Sequence, residues 1–145
     1  MEELKEVAKL SNMRCKHAAA IVDSKYNILC TGFNHYVCNH TCSRKNRSNF
    51  SIHAEKDVLR KCNIKEIGGC NMYIIRSGCD NPANTEFKYS APCKQCEALI
   101  NTCIVKYGLN KIYYSLDSDI CNNRIKLKCM NEYEWVWMSM NEYEL

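Results

Sequence analysis

Apolar residues in this chain fall into short runs of two periods, and the switches between the periods mark out the elements. Leu4, Val7, Ala8 and Leu10 recur at helical spacing, which predicts an opening amphipathic helix. Ala18 to Val22 and Ile28 to Phe33 are compact apolar runs on either side of the polar turn Asp23 to Asn27, the pattern of two strands joined as a hairpin. Gly32, inside the second run, permits a bulge or the close approach of another group. Asn34 to Phe50 is polar and aperiodic, so a long loop is expected there. Ser51 can cap the helix that follows, where Ala54, Val58, Leu59 and Cys62 share one face, until Asn63 and Gly68-Gly69 end it.

The second half alternates in the same way. Met72 to Ile75 reads as a buried strand, and Ser77 to Ala91 as a second irregular stretch. Pro92 suits the first position of a helix, and Cys96, Leu99, Ile100, Cys103, Ile104 and Tyr107 give the strongest helical period in the chain, with Gly108 as its stop. Ile112 to Tyr114 is a fourth strand and Arg124 to Met130, alternating basic with apolar residues, a fifth. Asp117 to Asn123 is too short for a parallel crossover, which takes about a dozen residues, so the last two strands should be antiparallel. The aromatic tail from Tyr133 to Trp137 could instead supply the last strand after a longer crossover, and Trp135 and Trp137 share one face at strand spacing that would cover the core or an oligomer interface. Met-Asn-Glu-Tyr-Glu occurs twice ten residues apart, too little for a repeat fold.

Composition narrows the class. At 145 residues, 46% hydrophobic and 25% charged, with 5 Gly and 2 Pro, the chain has the make-up of one globular domain over 1–145 rather than of a linker or a disordered tail. Its net charge of +4 is compatible with an anionic ligand and too small to argue for nucleic acid alone. No window approaches the roughly 18 to 20 apolar residues of a membrane span. Twelve cysteines would suit a secreted disulfide scaffold, yet Met1 to Glu6 is acidic and has no secretory pattern. A reducing, cytoplasmic setting is therefore expected, with the thiols packed, catalytic or bound to metal.

Two helix starts carry the candidate chemistry: His53-Ala54-Glu55 and Pro92-Cys93-Lys94-Gln95-Cys96. One imidazole and two thiolates are three zinc ligands, which leave a fourth position open for water, whereas a fourth protein ligand would make the site structural. A helix start favours thiolates through its free N–H groups and dipole. Glu55, two residues from His53, can reach a water at the metal without ligating it, and a purely structural zinc site would have no use for it. Cys38, His40 and Cys42 are a weaker candidate for a second metal site, since their spacing matches no common structural pair. Arg44, Lys45 and Arg47 could grip a phosphate or be merely solvated. His17 and His35 have no evident partner and read as structural, and of Tyr113 and Tyr114 one would face the core while the other could line a base pocket.

The H-x-E and P-C-x-x-C half-motifs, in this order and on these elements, resemble the cytidine and deoxycytidylate deaminase superfamily over Ala18 to Ser115. The resemblance implies a three-layer α/β/α cytidine deaminase-like sandwich with a five-stranded mixed sheet. It also implies Zn2+ held by His53, Cys93 and Cys96, with Glu55 as proton shuttle for attack of activated water on C4 of a cytosine and loss of ammonia. Thr31-Gly32-Phe33-Asn34 is similar to the family's Gly-x-Asn, whose Asn bonds the sugar, so Asn34 is a candidate substrate contact; backbone groups of Ala54, Ser90, Ala91 and Pro92 would line the pocket. His at the first ligand position looks like the nucleotide and nucleic-acid branches, while an antiparallel last strand pair looks like the small cytidine deaminases. The 40 positions from His53 to Cys93 exceed the family's usual gap. The expected partner is a small cytosine nucleoside or nucleotide, cytidine, deoxycytidine, CMP or dCMP, acted on by a homo-oligomer without membrane contact. A base in RNA or single-stranded DNA, cytosine or adenine, is the alternative substrate, and a zinc-stabilised interaction module without activity the alternative class.

Overall fold

The computed structural model describes residues 2–37, 51–77, 87–116, 124–131 and 135–139, with 124–125 and 135–139 described through the backbone alone. Helix α1 (Glu2–Ala8) leads into strands β1 (Lys16–Val22) and β2 (Ile28–Phe33). They pair antiparallel, and between them the Asp23 carboxylate accepts the amide protons of Lys25 and Asn27 to close the turn. Strands β3 (His35–Tyr36) and β4 (Ser51–Ile52) form a separate two-stranded ribbon, followed by α2 (Ala54–Lys61), a 3-10 turn (Ile64–Glu66) and β5 (Asn71–Ser77). The rest is β6 (Phe87–Lys88), α3 (Lys94–Tyr107), β7 (Ile112–Ser115), β8 (Arg124–Cys129) and β9 (Trp135–Ser139).

The main sheet runs β2-β1-β5-β7-β8-β9, with β6 paired to the end of β5. Its five expected strands are its first five in that order, and β5 and β7 are the parallel pair. The short 117–123 connection does join antiparallel strands, as β7 and β8 pair with Tyr113 opposite Cys129. The aromatic tail extends the sheet by β9, which places Trp135 and Trp137 opposite Lys128 and Lys126.

Alternation along β1 divides the core in two. Ala18, Ala20 and Val22 face α1 together with Leu4, Ala8, Tyr73, Ile75, Phe87 and Leu127. Ala19 and Ile21 face the other way, packing with Val58, Leu59, Met72, Ile74, Ile100, Cys103 and Ile112 under α2 and α3. One helix on one face and two on the other is the α/β/α sandwich. Cys103 and Cys129 are fully buried and Cys30 and Cys62 pack against the core, so these thiols serve as small apolar groups, and Cys70 joins them. Burial pushes the Cys62 thiol up to about 11, which keeps it protonated.

Two helix starts differ from expectation. Ser51 pairs with Tyr36 as a strand residue, and His53 is the N-cap of α2, with no side-chain capping bond. Pro92 precedes the N-cap Cys93, so α3 begins two residues later than its proline suggests. In both cases the ligand-type residue takes the cap position with extended backbone, and its side chain is free of the helix ladder. Gly108 ends α3 with φ of 78° in the left-handed region, as a C-terminal glycine should.

Gly32 is where β2 meets α2. A Cβ built on it would lie 2.4 Å from the Val58 nitrogen and 3.0 Å from the Ala54 carbonyl oxygen, so the helix backbone rests on the strand. Asp57, fully buried, locks the same junction. Its carboxylate accepts from the Phe33 N–H at 3.1 Å, from Lys61 Nζ at 2.6 Å and from Arg60 Nε at 3.2 Å. Gly32→Ala should therefore lower unfolding free energy in urea by about 1–3 kcal/mol, the usual cost of overpacking. An unchanged midpoint would mean that helix and strand do not touch there.

Candidate active site

The side chains of His53, Cys93 and Cys96 converge, with their ligand atoms all within 4.8 Å of one another. His53 Nδ1 is 3.6 Å from Cys93 Sγ and 3.4 Å from Cys96 Sγ. A tetrahedral zinc with ordinary Zn–N and Zn–S bonds holds such a nitrogen and sulfur about 3.5 Å apart, so the three donors fit the ion in kind and in spacing. Cys93 is exposed and Cys96 buried, which gives the centre one open and one closed side. Burial, and then the Glu55 carboxylate, push the Cys96 thiol far above its ordinary range. A divalent cation reverses that balance by favouring the thiolate.

Glu55 lies in the first turn of α2 and is 4% exposed. Burial raises its pKa, opposed by a backbone hydrogen bond, a bond with the Cys96 thiol and the nearby His53. A carboxyl held this way takes up a proton more readily than one in water.

Strand ends hold these helix starts in place through groups that carry no motif. Ser90 Oγ donates to the Ile74 carbonyl at 3.0 Å and accepts from the Ser115 N–H at 2.9 Å. Ser115 Oγ donates to the Lys88 carbonyl at 2.7 Å and accepts from the Arg76 N–H at 3.1 Å. Both serines are buried, so the pair ties the ends of β5, β6 and β7 to the segment that enters Cys93. The Ser90 hydroxyl is thereby committed to the frame, whereas Ala91 and Pro92 are partly exposed beside it. Ala54 is fully buried under β2.

Asn34 is buried, and its amide spans the start of β1: Oδ1 accepts from the His17 N–H at 2.8 Å and Nδ2 donates to the Cys15 carbonyl at 2.6 Å. One lone pair and one N–H of that amide are left for a ligand. Beside it, burial, Arg76 and His53 lower the pKa of His17 to about 4. The His35 ring hydrogen-bonds the Phe33 carbonyl through Nδ1 and packs on the Phe33 ring. Tyr114 is buried and Tyr113 stacks on Tyr73. Cys38, His40, Cys42, Arg44, Lys45 and Arg47 lie outside the described residues, so among those described the single group fit for a metal is His53, Cys93 and Cys96. Sequence reasoning missed Asp57, Ser115 and Arg76; the register of β1, β5 and β7 is the signal that finds the last two.

Residues 1–115 match the cytidine and deoxycytidylate deaminase zinc-binding region. The chain belongs to that deaminase family. A solved structure similar to it is the dCMP deaminase from the cyanophage S-TIM5 in apo form, 22% identical, with a TM-score of 0.52 over 81% of this chain and 80% of that one. At that identity the likeness bears on the fold, which it shares. No curated protein matches the chain. The deaminase family binds zinc at this region, and His53, Cys93 and Cys96 are the residues of this chain that fit the ion.

His17 gives the deaminase fold an acid sensitivity. Its folded pKa lies near 4 against an ordinary 6.5, so below pH 6.5 the unfolded chain binds the proton that the folded one refuses. Stability should fall between pH 6.5 and 4, by at most ~3 kcal/mol, and level off below. Urea melts across this range should show that loss reduced in His17→Val; an equal loss in both proteins would assign it to other groups.

Proposed function

We propose that this protein is a zinc-dependent hydrolytic deaminase that converts cytosine to uracil on a nucleoside or nucleotide, cytidine, deoxycytidine, CMP or dCMP, and releases ammonia. The observation that carries the reading is the buried Glu55 beside three donors spaced for an open zinc site. A structural zinc would need neither the open position nor the carboxylate.

Zinc bound by His53, Cys93 and Cys96 supplies a Lewis acid that makes water a nucleophile at neutral pH. The chain supplies the proton traffic. Glu55 would take one proton from that water and deliver it to ring N3, then take the second proton from the oxygen added at C4 and deliver it to the exocyclic amine, so that the C4–N bond breaks, the C4 carbonyl forms and ammonia leaves. Its burial excludes competing solvent protons and gives the carboxyl a proton affinity suited to both roles. The starts of α2 and α3 direct their free N–H groups and dipoles at the developing negative charge. Asn34 offers its remaining amide groups to the sugar. Eight described cysteines, all free thiols, support a reducing cytoplasmic setting, and no described helix is long and apolar enough to cross a membrane.

Glu55→Gln should keep about one zinc per chain while ammonia release from its best cytosine substrate falls roughly 10²- to 10⁴-fold, the range for loss of a general acid–base group. Undiminished turnover by the zinc-loaded variant would overturn the reading.

A further inference from the structure

Strand register sets three basic side chains in one row beneath the candidate site. His17 on β1 lies directly opposite Arg76 on β5, and Arg76 lies directly opposite Lys88 on β6. Residues opposite one another across antiparallel strands share a face, and Arg76 continues the face of Met72 and Ile74 that carries α2 and α3. Arg76 is next to the last residue of β5, the end near which the Ser90–Ser115 pair holds the approach to Cys93. Arg76 and Lys88 are directly opposed cations, which repel and call for a counter-charge, while His17, whose pKa is lowered by burial and by Arg76, stands beside them as a neutral imidazole at pH 7. Among the described residues no carboxylate forms an ion pair with Arg76.

The guanidinium itself is short of acceptors. Its Nε is buried without a hydrogen-bond partner, and Nη2 donates to the Cys15 thiol at 3.1 Å, a weak acceptor. These two donors form one edge of the guanidinium fork, which matches two oxygens of a phosphate. A nucleoside brings only neutral hydroxyls to this floor, whereas a nucleotide brings a dianion.

We propose that Arg76, flanked by His17 and Lys88, binds the phosphate of the substrate and makes this enzyme select a cytosine mononucleotide over the nucleoside. The assignment rests on the deaminase reading for the identity of the ligand, while the basic row and its unsatisfied donor stand on their own. Arg76 is in this account a binding and specificity residue, with no part in proton transfer.

The test is calorimetric titration of the zinc-loaded protein and its Arg76→Gln and Arg76→Lys variants with CMP, dCMP, the matching nucleosides and a short single-cytosine oligonucleotide, alongside ammonia release. The wild type should bind one of the monophosphates about 10- to 100-fold more tightly than its nucleoside, as charge-assisted bidentate bonding allows. Arg76→Gln should abolish that preference by raising the nucleotide KM while kcat and nucleoside binding stay unchanged, and Arg76→Lys should restore part of it. Thermal melts would certify that the variants fold. Equal affinity of the wild type for nucleoside and nucleotide, equal weakening of both in Arg76→Gln, or tighter Arg76-dependent binding of the oligonucleotide than of CMP would each overturn the proposal. Deamination of nucleoside and nucleotide at equal efficiency would sink this proposal and leave the deaminase reading standing. Arg76-dependent binding of a monophosphate without ammonia release would do the reverse.

Discussion

The site depends on one constraint of chain topology: β5 and β7 run parallel, so the segment between them must return across the sheet, and α3 makes that return. Its N-terminus is thereby delivered near the end of β5, and α2, which runs into the start of β5, has its own N-terminus directed to the same end. Two helix starts from distant parts of the sequence then meet, α2 bringing His53 from its cap position and α3 bringing Cys93 and Cys96 from its cap position and first turn. His53 Nδ1 reaches both thiols within 3.6 Å although 40 positions separate it from Cys93. Moving one of these donors means moving a helix start.

What keeps the helices in register is a second set of residues that take no part in the proposed proton transfer. Gly32 lets α2 rest on β2 at backbone distance, and Asp57 bonds across the same contact to the Phe33 amide. The neighbouring residue Asn34 then ties the end of β2 to the start of β1. On the α3 side the buried hydroxyls of Ser90 and Ser115 do the equivalent work, joining three strand ends to the Pro92-Cys93 approach. These contacts are polar and buried, so their geometry is narrow, and the carboxylate and ligands above them inherit that precision.

The three donors that the fold brings together were singled out in the sequence, with Glu55 beside them, because an open zinc site admits few residue types at few spacings. The sandwich was legible for a related reason: periods of two and of three to four alternate strongly enough to mark out β1, β2, β5, β7, β8 and the three helices. Asp57 was not legible, since a carboxylate followed by Arg60 and Lys61 reads as the solvated side of a helix; only the approach of Phe33 from β2 reveals it as buried. Ser51 passed for a helix cap because the two-residue ribbon that claims it forms through Tyr36, far away in sequence. His17 read as structural for want of a partner, and its partner Arg76 is defined by sheet register. The two-residue strand β6 leaves no periodic trace at all.

Twelve cysteines divide, in this account, into two metal ligands, several packed thiols and four, Cys38, Cys42, Cys79 and Cys121, outside the described residues. The central claim is that zinc here has three protein ligands and one open position. X-ray absorption at the zinc edge of the purified protein tests it most directly. The protein should carry about one zinc per chain, with two sulfurs at ~2.3 Å, one imidazole nitrogen and one further light atom that exchanges with solvent. A third sulfur in the coordination shell, or a fourth ligand that added imidazole or azide cannot displace, would contradict it and make the centre structural.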